Sequence, residues 1–410
     1  MNFEVLKRSH IKRNIVIAVI IILILSAVIL TFTKAKYKTT ASIPLVNGTI
    51  NYDLSDLNLI GVYIQEGEEY KQTNDIPSSG YEFNSEKSYC TVNNENIDVT
   101  LNYDMETQNL TVTPLTKKGT KCYLYFDEAS SATDVIEDTY EENQGMLAYD
   151  ETVDNNLRYI GRDPNNYVYF NCDDYNNPSS STCELWRIIG IFNENSHGIS
   201  GKKLVKLIRN DSLGIYAWDM GNNWPIADLQ DSLNGNYLNG SNFGNGKGIT
   251  VQTREIIENA TWKLGGGRGS FSNISDYYKD ERGTIVYNGH ATTWSGKIAL
   301  MYPSDYGYAT SGGATTNRSA CLAEELSNWG SSSYSDCKNN SWIFNNSNQW
   351  TLMPTSSLSY QVYYISSSGN VYNTDSYQSQ RNVRPTVYLT ATVSITGGDG
   401  SRSNPYTLSN

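Results

Sequence analysis

Apolar positions form one long block near the start of the chain, at residues 15–33, which reads IVIAVIIILILSAVILTFT and holds no charge. A helix of this length would measure about 28 Å, close to the hydrocarbon thickness of a bilayer. The pattern predicts a transmembrane anchor at 15–33 behind a cytoplasmic N-terminus at 1–14. A cleaved signal peptide stays open as an alternative, because Thr33-Lys34-Ala35 is a possible cleavage motif.

Residues 34–126 show a different pattern, in which apolar and polar positions alternate over short stretches such as 96–103 and 109–115. Alternation with a period of two, interrupted by turn residues, predicts β-strands. The length of the segment suits one small immunoglobulin-like domain. We expect an all-β stalk that lifts the distal part of the chain off the membrane.

Residues 127–146 are acidic and poor in apolar positions, which predicts a solvated linker with some helical tendency. The remaining 147–410 contain strand-like runs, then amphipathic helical stretches, then strands again. This order favours an α+β domain over a parallel doubly wound sheet. The strand-like runs are 167–170, 185–192, 204–209, 361–365, 369–372 and 383–393, and the helical stretches are 226–238, 253–263 and 320–329.

Six cysteines all follow the apolar block, and their even number suits disulfide bonds in an exported domain. No pair has the C-x-x-C spacing of zinc or redox motifs. Pairing of neighbours is one of fifteen possible connectivities, and free thiols in a reducing compartment stay open as an alternative. The predicted pairs are Cys90–Cys122, Cys172–Cys183 and Cys321–Cys337.

Charge refines this picture. The chain carries a formal net charge of −12, yet seven of its 31 basic residues flank the apolar block, where only one of its 43 acidic residues lies. The rest is strongly acidic, which argues against nucleic acid as a partner. The positive-inside rule narrowly favours an inner N-terminus, so we expect a single-pass membrane protein with its bulk outside the cell. No cofactor is predicted; calcium is conceivable for acidic loops, but no calcium motif supports it.

The C-terminal region resembles a known family. The stretches 172–175 (CDDY), 183–187 (CELWR) and 302–308 (YPSDYGY) resemble uncharacterised surface proteins of low-GC Gram-positive gut bacteria. The stretches 350–357 (WTLMPTSS), 362–371 (VYYISSSGNV) and 382–389 (NVRPTVYL) are similar to an uncharacterised bacterial surface-domain family. Met353 and Asn382 stand where that family more often has Arg and Gly. The resemblance implies a C-type-lectin-like fold, related to formylglycine-generating enzymes, for residues 147–410. Arg384, between apolar strand residues, is expected to shape the fold.

Lectin-like folds of this kind often display variable side chains at a C-terminal surface. Residues 355–382 include eight Ser, five Tyr and three Asn, a composition typical of adaptable binding loops. Ordinary solvent-facing strand and turn residues would look the same, and that interpretation stays open. The predicted ligand-binding residues are Tyr360, Tyr363, Tyr372, Asn373, Asp375, Tyr377 and Gln380.

Catalytic patterns are weak. His290 could join Asp305 or Asp280 and a serine in a triad, but no G-x-S-x-G motif occurs, and no His, Cys and Asp cluster has metal-ligand spacing. We therefore predict a non-enzymatic recognition or adhesion protein that binds an extracellular glycan or protein. A structural or assembly component of the cell envelope is the alternative, and an envelope hydrolase is a second one. Neither the ligand nor the oligomeric state is predicted.

Overall fold

The computed structural model describes residues 57–67, 69–77, 81–104, 109–114, 119–140, 145–269 and 272–409. The predicted anchor at 15–33 and cytoplasmic segment at 1–14 lie outside the described residues. Among the helices of these ranges, none combines the length and apolar character that a membrane span needs. The chain divides into two compact units, Met1–Glu128 and Ala129–Asn410.

The described part of the first unit is all β. A five-stranded sheet has the order β2-β1-β7-β3-β4, and β5 pairs with β6 separately. Burial alternates strictly along β7, so that Cys122, Leu124 and Phe126 face the core. The strands are β1 (Leu57–Glu66), β2 (Glu69–Thr73), β3 (Tyr81–Val92), β4 (Glu95–Ile97), β5 (Thr100–Asp104), β6 (Asn109–Thr113) and β7 (Thr120–Glu128).

The second unit is built on two larger sheets. One has the order β16-β21-β12-β11-β9-β8 with β10 added on β11, and the other has the order β13-β20-β17-β18-β19. Two further strand pairs, β14-β15 and β22-β23, complete the β structure. The strands are β8 (Leu147–Tyr149), β9 (Leu157–Tyr159), β10 (Tyr167–Phe170), β11 (Glu184–Phe192), β12 (Leu204–Arg209), β13 (Ile215–Tyr216), β14 (Ala260–Lys263), β15 (Thr293–Gly296), β16 (Ile298–Ala299), β17 (Gln349–Pro354), β18 (Gln361–Ile365), β19 (Val371–Asp375), β20 (Arg381–Asn382), β21 (Thr386–Tyr388), β22 (Ser394–Gly397) and β23 (Thr407–Ser409).

Short helices fill the connections of the second unit, which makes it a mixture of helices and strands. They are α1 (Ala132–Asp138), α2 (Glu194–His197), α3 (Asp228–Ser232), α4 (Val251–Glu255), α5 (Ile274–Glu281), α6 (Pro303–Tyr308), α7 (Arg318–Ala323) and α8 (Ser335–Asn339), with 3-10 turns at Trp224–Ile226, Leu326–Asn328 and Ser332–Tyr334 and a π turn at Leu233–Tyr237. The helix expected over 253–263 differs from the structure. Its second half is strand β14, because Trp262 is buried and pairs with Trp294 of β15.

Helix α1 lies inside the segment expected to be an acidic linker. Ser131 caps it, and its side chain accepts a hydrogen bond from the Asp134 backbone N–H. Ala132 and Ile136 are buried in the core of the second unit. The described part of this segment thus contains a helix with one buried face.

The three predicted disulfides are confirmed: Cys90–Cys122, Cys172–Cys183 and Cys321–Cys337. Cys90 and Cys122 are register partners on β3 and β7, so this bond joins adjacent strands of the first unit. The other two bonds lie within the second unit. Each cysteine pairs with the one next to it in the sequence, and each bond closes a loop inside one folded unit.

Arg384 joins the two sheets of the second unit. Its guanidinium is buried and donates to the backbone oxygen of Arg209 at the end of β12 (2.8 Å). It also donates to the Gln349 Oε1 on β17 (3.2 Å) and the Ile343 backbone oxygen (3.2 Å). Burial lowers the pKa of Arg384 to about 9. These contacts give the residue the shape-determining role expected from its apolar surroundings.

Candidate functional site

The predicted ligand-binding residues lie on and around the β18–β19 hairpin, but they do not share one surface. Tyr360 precedes β18 and Tyr377 follows β19, and a hydrogen bond from the Ser376 N–H to the Tyr360 oxygen (2.9 Å) closes this open end. Both tyrosines are exposed. The Asp375 carboxylate accepts hydrogen bonds from the backbone N–H groups of Tyr377 (2.9 Å) and Gln378 (2.8 Å), so it shapes the turn that follows β19.

The other predicted residues point elsewhere. The Tyr363 ring is buried and its hydroxyl donates to the Gly269 oxygen (2.8 Å), which leaves it no surface to offer a ligand. Asn373 is its cross-strand partner and bonds to its hydroxyl. Tyr372 lies near the turn end of the hairpin, where its hydroxyl meets the Ser327 oxygen (3.4 Å). Gln380 is exposed just beyond Tyr377.

A second loop, residues 218–228, packs beside the open end of the hairpin. The buried Asn222 amide donates to three backbone oxygens of the neighbouring segment, those of Thr355 (3.1 Å), Leu358 (2.8 Å) and Gln361 (2.8 Å). The Trp218 N–H donates to the Ser376 oxygen (2.8 Å). This loop brings two large exposed side chains, Met220 and Ile226, to the same region as the tyrosines.

Five exposed side chains therefore form what we call the apolar face. Their exposed fractions are 71% for Met220, 76% for Ile226, 37% for Leu358, 42% for Tyr360 and 56% for Tyr377. Large apolar side chains exposed on loops that are hydrogen-bonded to each other are typical of an interaction site. The sequence prediction contained the two tyrosines but missed Leu358, and it missed Met220 and Ile226 because they lie some 140 residues earlier in the chain.

Buried aromatic rings make the support of the apolar face rigid. Trp218 and Trp224 are the buried side chains of this loop, with ring centroids 5.0 Å apart, and the Trp224 ring contacts that of Trp294 at 6.1 Å. The Asp219 carboxylate closes the loop by accepting the N–H groups of Gly221 (2.9 Å) and Asp228 (3.2 Å). A preorganised surface loses little conformational freedom on binding.

A glycine-rich loop holds the hairpin from the other side. The Gly267 N–H donates to the Pro354 oxygen (2.9 Å), and its own oxygen accepts the Ser356 N–H (3.0 Å). A Cβ atom on Gly267 would lie 2.5 Å from the Tyr363 ring, so only glycine allows this close approach. The GGGRG sequence serves packing here, not a phosphate cradle.

Charge around the apolar face is negative. Asp219 and Asp228 lie on the 218–228 loop, and Asp375 lies at the end of β19. Neither 210–246 nor 339–380 contains a lysine or arginine, and the next basic residue, Arg381, lies over the Tyr364 ring at 4.5 Å. The nearby Arg268 is engaged by Asp280 (2.5 Å). The face thus combines aliphatic and aromatic contact area with an acidic rim.

A separate cleft of about 340 Å³ lies near the Cys172–Cys183 disulfide. Arg209 and Glu184 line it and pair with each other at 3.0 Å, and Arg402 and Asp211 add a further cation and anion. The opposite charges balance within the cleft, so it has no strong preference for an ion of either sign.

The triad considered for His290 is not assembled. Asp305 is buried and bound by Lys206 (2.6 Å) and Arg158 (2.7 Å), while Asp280 is bound by Arg268. The His290 Nδ1 has no hydrogen-bond partner among the described residues, and burial lowers the pKa of this imidazole. Across the described ranges, no group of three or more His, Cys, Asp or Glu side chains could hold a metal ion.

The core of the second unit contains an ion network that the sequence analysis missed. Asp305 bridges Lys206 and Arg158, and Arg158 also binds Asp150 (3.0 Å). Burial raises the pKa of Glu281 to about 7, although Arg282 (3.1 Å) opposes this effect. The one sequence signal was a lysine in the centre of the apolar run LVKLIR.

No protein-family model, curated protein or solved structure matches this chain.

Proposed function

We propose that this chain is a membrane-anchored recognition protein of the cell surface, which binds an extracellular ligand through the apolar face of its second unit. In this proposal 15–33 is the anchor, the first unit is an immunoglobulin-like stalk, and the second unit is a C-type-lectin-like domain of the surface-protein family described above. The three disulfides support the extracellular assignment, because such bonds persist in oxidising compartments.

The single observation that carries the proposal is the exposure of Met220, Ile226, Leu358, Tyr360 and Tyr377 on braced loops. Large apolar side chains cost free energy in water, and burying them against a partner recovers about 25 cal/mol per Å². Tyrosine and methionine are also enriched where proteins contact partners. The face is therefore better suited to binding than to solvation alone.

The ligand that fits this face best is a protein with an apolar contact patch and basic side chains around it. The exposed aliphatic side chains suit a protein surface, and the acidic rim favours positively charged partners. The same acidic rim disfavours two copies of this face meeting each other, because their carboxylates would repel. This argues against a symmetric envelope assembly built through the apolar face.

A binding screen tests the proposal. The full-length chain, immobilised in detergent, is presented with arrays of extracellular proteins and of glycans, with and without calcium. We expect binding to basic proteins that weakens as the salt concentration rises. Binding to glycans alone would contradict the protein ligand, and the absence of any ligand would contradict recognition itself. Stoichiometric homotypic adducts after crosslinking on intact cells would favour the assembly alternative.

A further inference from the structure

Lys206 lies in the middle of strand β12, and its ammonium group is fully buried. The Lys206 Nζ is 2.6 Å from the Asp305 Oδ2, and Asp305 is buried as well. Aromatic rings surround the amine, with centroids of Tyr302 at 4.5 Å, Phe192 at 5.0 Å and Trp262 at 5.4 Å. Water is thus excluded from a lysine and a carboxyl group that are in direct contact.

This enclosure favours the uncharged form of the amine, which is the nucleophilic one. Burial lowers the pKa of Lys206 to about 8, although Asp305 opposes the shift. Desolvated lysines of this kind are found as nucleophiles because more of the amine is uncharged near neutral pH. Burial alone would raise the pKa of the Asp305 carboxyl, but Lys206 and Arg158 lower it below its usual range, so the neutral amine and acid form only by proton transfer between the two groups.

The Asp305 carboxyl group is held so that attack on its carbon is stabilised. Its Oδ1 receives a hydrogen bond from the Arg158 Nη1 (2.7 Å). A negative charge that develops on Oδ1 would therefore face a fixed guanidinium, which is how oxyanions are stabilised in acyl transfer. The other oxygen, Oδ2, accepts hydrogen bonds from the Tyr302 backbone N–H (2.9 Å) and from the Lys206 amine (2.6 Å).

We propose that Lys206 and Asp305 condense into an intramolecular amide bond. One proton first moves along the 2.6 Å hydrogen bond from Nζ to Oδ2, which gives the neutral amine and acid. The Nζ lone pair then bonds to the Asp305 Cγ, the bond from Cγ to Oδ2 breaks, and a second proton from Nζ joins Oδ2. Ammonium and carboxylate thus become one amide and one water, without an oxidant or reductant.

The surrounding network remains balanced after this reaction. Arg158 keeps its ion pair with Asp150 (3.0 Å). Arg282 keeps its ion pairs with Glu281 (3.1 Å) and Asp154 (3.3 Å). Condensation removes one buried ion pair, whose desolvation is costly. The new bond would link β12 to α6 across 99 positions of the sequence, so it would restrict the unfolded chain strongly.

A tryptic digest of the full-length chain tests this inference. The chain is kept at neutral pH, then reduced, denatured and digested. An amide at Lys206 blocks cleavage after this residue, so we expect one branched peptide that joins residues 204–209 to residues 298–318. Its mass should equal the sum of the two peptides minus one water, and its fragment ions should place the link at Lys206 and Asp305.

Lys203 provides a control within the same digest. It lies just before β12 and makes an exposed ion pair with Glu137 (2.7 Å), so trypsin should cleave after it normally. Cleavage after Lys206, together with a free peptide 298–318 of unmodified mass, would overturn the inference. Because this measurement uses the natural chain, it does not depend on a variant that fails to fold, and it is independent of ligand binding.

Discussion

Tyr363 lies within strand β18 and is buried, whereas Tyr360 and Tyr377 lie just outside the two hairpin strands and are exposed. The sequence predicted all three as ligand residues because composition alone marks them equally. Which side of the hairpin is covered depends on the loop around Gly267, nearly a hundred residues earlier, so the burial of Tyr363 could not be predicted. The apolar setting of Lys206 was visible in the sequence, but its partner Asp305 was not.

Glu281 should make the stability of the second unit depend on pH. Burial raises its pKa from the ordinary 4.5 to about 7, so the folded chain binds more protons than the unfolded chain between these values. Stability therefore falls as the pH rises through this window, on the order of 1–3 kcal/mol. Urea unfolding of Glu281→Gln at pH 5 and pH 8 should show a smaller difference than the natural chain. The exposed Glu151→Gln variant should retain the full difference in stability between pH 5 and pH 8. If Glu281→Gln also retained it, Glu281 would not be the group responsible.

Elements were predictable where the pattern of apolar positions was local. Alternation located β5 and β6, apolar strand-like runs located β12 and β18, and the structure confirms these strands. The expected helix at 253–263 was wrong in its second half, because cross-strand packing of Trp262 outweighs the helical spacing. Interactions between distant elements, such as the three hydrogen bonds of Asn222 that position the 218–228 loop, leave no periodic signal.

Gly267→Ala tests how the glycine-rich loop supports the hairpin. The added methyl group would lie 2.5 Å from the Tyr363 ring, so the loop or the ring must shift. We expect a loss of about 1–3 kcal/mol in the free energy of unfolding, as for other overpacked sites. Gly269→Ala is the matched control, because a methyl group added there would have no atom of the described residues within 4 Å beyond its chain neighbours. Equal stability of the two variants in urea titrations would contradict this role of Gly267.

At the scale of the whole molecule, cysteine spacing predicted the disulfides correctly because each bond closes within one compact unit. The pattern of apolar positions also predicted a β-rich chain with helices in its second part. The lectin-like fold, the family and the membrane anchor stay predictions. They depend on features that hydrophobic patterning cannot specify or that lie outside the described residues.

Removal of the Cys90–Cys122 bond should destabilise the first unit alone. Both cysteines are fully buried between β3 and β7, and no disulfide joins this unit to the second one among the described residues. We expect the Cys90→Ala/Cys122→Ala double variant to lose about 2–4 kcal/mol in the first unit. Hydrogen exchange should show faster exchange in β3 and β7 and unchanged exchange in β12. A uniform change across both units would contradict their independence.

The central claim is that the apolar face binds the ligand, and an affinity measurement on one matched pair of variants tests it most directly. Tyr360→Ser/Tyr377→Ser removes two exposed rings from the face, whereas Tyr149→Ser/Val153→Ser removes exposed apolar groups elsewhere on the same unit. For a protein ligand found in the screen, we predict that the first variant binds at least about tenfold more weakly. The control should bind like the natural chain. Equal affinity of all three proteins would contradict the account.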